Sequence, residues 1–307
     1  MSSVLERIPG KGRVAVIRLR SMGDCILTTP ALALLKQARP DLSIAIVVED
    51  RFRALFEGNP DVTEILSPGW RWVRRWRPDL CLNLHGGGSS AISTAFSGTR
   101  FRAGFAHFRP SLIYNVPIPR AQEILGVDRK VHTAEHLASA MFYLGAPPVE
   151  IPRAKLFCSK PAPAATPSAS YAVIHPAATL PGKTWPAERF LEVAGFLKRS
   201  FELNVVFIGG PGEDLSAFAR WPTVPGAPLE EIKSLIAGAS LFVGNDSGPA
   251  HMAAAFGIPV VVIFGPSDPV VWAPWRTQAE VLTGSGGIHS VDARQVIDAL
   301  ERLRVRA

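Results

Sequence analysis

Cysteine is scarce in this chain of 307 residues: Cys25, Cys81 and Cys158 stand far apart, with no C-x-x-C spacing. An odd, scattered set argues against a disulfide framework or a thiolate zinc site and fits a reducing compartment. Long apolar runs are lacking as well, and none approaches the roughly 20 residues that a membrane-spanning helix needs. The opening MSSVLERIPGKGR has no apolar centre of the kind a secretory signal carries. The expected location is therefore the cytoplasm. No G-x-G-x-x-G follows the first apolar segment and no G-x-x-x-x-G-K-[ST] occurs, which weakens dehydrogenase and P-loop readings. Gly86-Gly87-Gly88 lacks the spacing of either. There is no D-x-D to hold a diphosphate through a metal. Of the seven histidines, His132 and His136 are spaced i, i+4 but lack the glutamate of H-E-x-x-H. No metal ligands and no cofactor are expected.

What is present is a composition able to fill two cores, 47% hydrophobic and 19% charged. The net charge of +7 is unevenly spread. Residues 1–160 hold 22 lysines and arginines against 13 acidic residues, a net +9, whereas residues 161–307 hold 11 against 13, a net −2. A basic half suits an anionic partner, such as nucleic acid, phospholipid or an acidic acceptor, or it is a surface kept charged for solubility.

Short apolar segments alternate with helical ones. Strands are expected at 14–19, 42–48, 62–66 and 79–84, with helices at 26–38, 51–57 and 133–144. SKPAPAATPSAS (159–170) has the composition of a linker stiffened by proline. Beyond it strands are expected at 171–176, 204–210, 240–246 and 259–265, and helices at 187–199, 229–237, 249–256 and 291–303. No strand is legible between Gly212 and the helix at Leu229. The expected fold class is α/β, with two Rossmann-like, doubly wound parallel-sheet domains, 1–160 and 161–307, facing a cleft. The last helix is a candidate to pack back on the first domain.

Four segments can carry chemistry. Ser21-Met22-Gly23-Asp24 follows the first strand. A carboxylate there can take a proton from a hydroxyl, or Asp24 is simply the N-cap of the next helix. HPAATLPGKTW (175–185) leaves a strand, and its backbone amides together with Lys183 can face phosphate oxygens; as a plain loop it would leave the lysine solvated. Gly244-Asn245-Asp246-Ser247-Gly248-Pro249-Ala250-His251 joins a buried strand to a helix. Ser247, Gly248 and the amides after them can cradle a pyrophosphate at the positive helix end, with His251 either toward the same anion or in the core. Gly265-Pro266-Ser267-Asp268-Pro269 repeats that strand-end pattern and can wall the site or be only a turn. Trp70-Arg71-Trp72-Val73-Arg74-Arg75-Trp76-Arg77 interleaves aromatic and basic residues. That pattern suits a membrane interface or stacked bases, or a surface helix with its aromatic face packed down.

RLRSMGDCILTTPAL (18–32), the Lys183 loop and GNDSGPAHMAAA (244–255) together resemble glycosyltransferase family nine, the ADP-heptose:lipopolysaccharide heptosyltransferase family. The likeness runs in order over nearly the whole chain and takes in GF (104–105), LIYN (112–115) and FGPSDP (264–269). The resemblance implies a GT-B fold and inverting transfer of a heptose from ADP-L-glycero-D-manno-heptose to a lipopolysaccharide inner-core acceptor. It implies that Asp24 is the base and that Thr179, Lys183, Glu213, Asp246, Ser247 and Gly248 bind the donor, with His251 beside them. The basic N-terminal half, through Arg71, Arg74, Arg75, Arg102 and Arg109, is expected to hold the anionic glycolipid acceptor. Peripheral contact with the cytoplasmic face of the inner membrane follows from such an acceptor. The alternatives are another nucleotide sugar, such as a UDP-sugar, and, more distantly, a basic nucleic-acid-binding protein. No nucleic-acid motif is present, so nucleic acid is not the expected partner.

Overall fold

A computed structural model describes residues 2–164, 166–178 and 180–306. The chain divides into two compact units, Met1–Phe157 and Cys158–Ala307.

In the first unit, six parallel strands are joined by helices. They are β1 (Arg13–Ile17), β2 (Ser43–Val47), β3 (Glu64–Leu66), β4 (Leu80–Asn83), β5 (Phe101–Phe105) and β6 (Val116–Ile118). The helices are α1 (Met22–Ile26), α2 (Thr29–Ala38), α3 (Trp70–Trp76), α4 (Gly88–Ala95), α5 (Ala121–Leu125) and α6 (Thr133–Leu144). The sheet order is β3-β2-β1-β4-β5-β6. The second unit has β7 (Tyr171–His175), β8 (Asn204–Gly209), β9 (Thr223–Pro225), β10 (Leu241–Asn245), β11 (Val260–Phe264) and β12 (Ala279–Thr283). Around them lie α7 (Ala187–Ser200), α8 (Leu229–Ala237), α9 (Gly248–Phe256), α10 (Pro269–Trp272) and α11 (Ala293–Arg306). Its order is β12-β11-β10-β7-β8-β9. Counted within each unit, both sheets have the strand order 3-2-1-4-5-6 of doubly wound nucleotide-binding folds.

Helices cover both faces, so central strands must be apolar on both sides. Accordingly β4, β7, β10 and β11 are buried at every residue. The strands that escape a reading by pattern are short, peripheral or interrupted. β6 and β9 are three-residue edge strands containing Pro117 and Pro225, which an edge tolerates because one side needs no N–H donor. β9 lies in the 212–228 stretch where no strand was legible. β5 carries Arg102 and Gly104 inside FRAGF, and β12 is a half-exposed edge.

The helix expected over 26–38 runs only from Thr29, as α2, and Ile26 instead ends the separate helix α1, with Leu27 and Thr28 between the two. Pro30 supplies the reason: it has no N–H to give to the carbonyl of Ile26, so it sits in the first turn of a new helix instead. The Thr29 hydroxyl donates to that Ile26 carbonyl at 2.8 Å, and the Thr28 hydroxyl donates to the Asp24 carbonyl at 2.8 Å. The helix expected at 133–144 ends on Gly145 in the left-handed conformation. α11 buries Val296, Ala299, Leu300 and Leu303 with Trp185, Phe190, Phe207 and Val243 of the second unit.

Candidate functional site

A parallel sheet that changes winding direction leaves a crevice at the carboxyl ends of the two strands flanking the change. Here those strands are β1 and β4 in the first unit and β7 and β10 in the second. The loops that leave them bear most of the residues singled out from the sequence.

In the second unit, β10 ends in Asn245, and Asp246 and Ser247 lead into α9. Ser247 is the extended N-cap residue (φ −155°), so the first amides of this nine-residue helix open toward the strand end. The Lys183 ammonium, reaching from the loop after β7, donates to Asp246 Oδ2 at 2.8 Å. Asp246 is nearly buried while Lys183 keeps a quarter of its side chain in solvent. The lysine is therefore anchored by one carboxylate with capacity left for a second anion.

Two residues that the sequence reading placed in these segments without a role, Asn245 and His175, hold this arrangement. Asn245, fully buried, accepts from the Trp185 N–H at 3.1 Å and donates to the carbonyls of Pro176 at 2.8 Å and Ala177 at 3.4 Å. One side-chain amide thus pins both ends of the loop that carries Lys183. His175, the last residue of β7, hydrogen-bonds Ser247 Oγ through Nδ1 at 3.1 Å and Glu213 Oε2 through Nε2 at 3.1 Å. The His175 hydrogen bond, joined by the Gly210 N–H donating at 2.6 Å, holds the Glu213 carboxyl below its ordinary range, against partial burial. A titratable residue ending a central strand was the available signal for His175; Asn245 had none, because an amide in a turn looks like turn chemistry.

Lys183, Glu213, Asp246, Ser247 and Gly248 are thus gathered at one sheet edge. His251 is buried at the fourth position of α9. Thr179 lies outside the described residues. The turn after β11 closes on the same loop, since a Cβ on Gly265 would stand 2.4 Å from the Gly182 carbonyl oxygen. A side chain there would push the lysine turn away.

In the first unit, the N-cap of α1 is Ser21 and not Asp24. Asp24 is the third helical residue and completes a capping box, its Oδ2 accepting from the Ser21 N–H at 3.2 Å and hydroxyl at 3.0 Å. Its other oxygen pairs with Arg18, whose guanidinium also donates to the Leu84 carbonyl after β4. Arg18, quoted in the 18–32 segment but given no role there, ties the loops after β1 and β4 together and orients the carboxylate. His85 follows on that second loop, and burial, then Arg18 and Arg20, lower its basicity. Asn83 shapes the turn by accepting from the N–H groups of His85 at 2.9 Å and Gly86 at 3.1 Å.

The arginines do not gather at this end. Arg71, Arg74 and Arg75 are exposed on α3 and line a shallow cavity of about 510 Å³ with Arg13, Arg77 and Trp70. Arg13 begins β1 and Arg77 precedes β4, so that cavity reaches the opposite edge of the sheet from Asp24. Val73, and in part Trp76, pack α3 onto the core, while Trp70 and Trp72 stay exposed, contrary to a packed aromatic face. Arg102 on β5 donates to the Ile113 carbonyl at 2.8 Å, and Arg109 is exposed after the strand. His132 caps α6 through Nδ1, and His136 stacks on Phe105 at 4.0 Å, so the i, i+4 pair has structural roles.

The model of glycosyltransferase family 9 (heptosyltransferase) matches residues 69–295. Lipopolysaccharide heptosyltransferase 1 of Salmonella typhimurium is 26% identical over 319 residues, covering 92% of this chain and 98% of that protein. Lipopolysaccharide heptosyltransferase 3 of Escherichia coli is 27% identical over 301 residues, covering 84% of each. Among solved structures, E. coli ADP-heptose lps heptosyltransferase II superposes with a TM-score of 0.78 at 22% identity, over 96% of this chain and 99% of that one. The E. coli heptosyltransferase WaaC with ADP gives 0.79 at 23% identity, over 95% and 99%. The two six-stranded parallel sheets match the GT-B fold of these enzymes.

Proposed function

Given that the chain belongs to glycosyltransferase family 9 and is a glycosyltransferase, we propose that it moves a heptose from ADP-L-glycero-D-manno-heptose to a lipopolysaccharide inner-core acceptor, with inversion. The observation that carries the reading is the Lys183 ammonium held 2.8 Å from Asp246 beside the N-terminus of α9. An ammonium and helix-terminal amides at a switch-point strand end form a site for a diphosphate. The names of the relatives support the sugar: several are lipopolysaccharide heptosyltransferases, and E. coli WaaC has been solved with ADP and with ADP-2-deoxy-2-fluoro heptose.

In the proposed reaction, Lys183 and the amides of Ser247 and Gly248 take up the charge that develops on departing ADP. This makes transfer independent of an added metal. Asp246 keeps the ammonium in place, and Glu213, through His175, keeps the Ser247 hydroxyl in place. Asp24 takes the proton of the acceptor hydroxyl as its oxygen attacks the anomeric carbon on the face opposite ADP. Arg18 and Ser21 orient that carboxylate. An acceptor of this kind is lipid-linked, so the enzyme works at the cytoplasmic face of the membrane; no helix among the described residues is long and apolar enough to cross it.

Incubation with ADP-heptose and lipid A-core acceptors, read by mass, tests the proposal. A heptose increment that persists in EDTA is expected. An increment only from a UDP-sugar, or none, removes the donor assignment.

A further inference from the structure

The arginine-lined cavity on α3 has no part in the transfer above. Among the described residues, no carboxylate forms an ion pair with Arg71, Arg74, Arg75 or Arg77. Four arginines within one short helix and its cap repel one another, and an anionic partner relieves that repulsion. Beside them the surface is apolar: Trp70 is 37% exposed, Trp72 49%, and on neighbouring α4 Ile92 is 54% and its C-cap Phe96 56% exposed. The rings of Trp70 and Phe96 touch, with centroids 5.9 Å apart, so these two rings join the helices in one apolar patch, which Ile92, one turn before Phe96, extends. The Arg13 guanidinium extends the basic border, lying 5.0 Å from the Trp76 ring.

We propose that α3 and the exposed face of α4 form a docking surface for an anionic phospholipid bilayer. Tryptophan favours the boundary between headgroups and hydrocarbon, and arginine beside it meets headgroup phosphates while its stem lies along the apolar layer. Ile92 and Phe96 decide between a bilayer and nucleic acid. An aliphatic side chain exposed among the aromatics gains by entering hydrocarbon and gains nothing from a phosphate backbone. α3 is seven residues long, about 10 Å, which is the scale of a few headgroups. The inference does not depend on the identity of the donor, and it assigns Arg71, Arg74 and Arg75 to the bilayer instead of the acceptor sugar.

Cosedimentation with vesicles of phosphatidylglycerol and phosphatidylethanolamine, against phosphatidylcholine alone, tests it. The protein is expected on the anionic vesicles only. R71Q/R74Q/R75Q lowers partitioning on the order of a hundredfold, at about fivefold per arginine, while the triple lysine variant retains most of it. Phe96→Glu also lowers partitioning, yet leaves turnover on a lipid-free soluble acceptor unchanged. Equal binding to both vesicle types, or a triple glutamine variant that partitions like the unaltered protein, overturns the proposal. So does release from anionic vesicles by an equimolar nucleic-acid duplex, which would mark nucleic acid as the partner. Loss of heptose transfer with vesicle binding intact removes the donor assignment and leaves the docking surface standing.

Discussion

The two units have the same strand order and opposite chemistry at the same place in it. At the switch point of the first, a carboxylate is fixed by Arg18 and Ser21, with His85 on the facing loop. At the switch point of the second, an ammonium is fixed by Asp246, and a helix N-terminus opens beside it. The winding decides where loops converge, because only there do the connections part to opposite faces of the sheet. The residues in those loops differ, and in the proposed reaction the first loop set presents a base to a hydroxyl and the second presents positive charge to a diphosphate. On that proposal a fold used twice in one chain has two tasks, set by a handful of side chains.

If that division holds, Asp24→Asn cuts turnover by about 10²–10⁴ and leaves ADP affinity as it was, measured by kinetics and calorimetry on one preparation. An equal loss of ADP affinity would break the contrast between the units. Lys183→Ala, on the other side, removes stabilisation of the leaving diphosphate and costs about 10²–10³ in turnover. It should weaken ADP binding too, which Asp24→Asn does not. Asn245→Ala touches neither substrate and strands buried polar groups of the lysine loop. We expect about 1–3 kcal/mol lower stability by denaturant titration and a raised donor KM, because the loop is no longer pinned.

The last expected effect is on acid stability and belongs to the first unit. Burial against Phe105, then the neighbouring charges of His107 and Arg18, lower His136 from 6.5 to about 4. The unfolded chain regains its ordinary affinity for the proton. Between about pH 6.5 and about 4 the unfolded state therefore binds the extra proton, and stability falls as pH falls. His136→Phe should flatten the slope of melting temperature against pH in that window. An unchanged slope would place the acid sensitivity elsewhere.

Much of the candidate site was legible because its parts are local. Glycine, hydroxyl residues and lysine after buried strands announce anion-binding turns, and Asp24 and Lys183 stand in such segments. Arg18 was not legible: it reads as the polar end of an apolar strand, and its meaning comes from the Leu84 carbonyl 66 residues on. Asn245 and His175 likewise act across strands, on partners 69 and 72 residues away. The edge strands β6 and β9 hid because three residues with a proline carry no periodicity. That Arg71, Arg74 and Arg75 lie at the edge of the sheet opposite Asp24 was not legible either, because charge says nothing about which edge of a sheet a helix presents.

By itself the amino-acid order determined the two units, the central strands and the punctuation of the helices, since apolar runs, proline and glycine act on their immediate neighbours. Only the tertiary structure decided which distant polar groups share a hydrogen bond and which face of α3 meets solvent. Those outcomes depend on strands brought side by side, and a one-dimensional pattern holds no information about the gap between them.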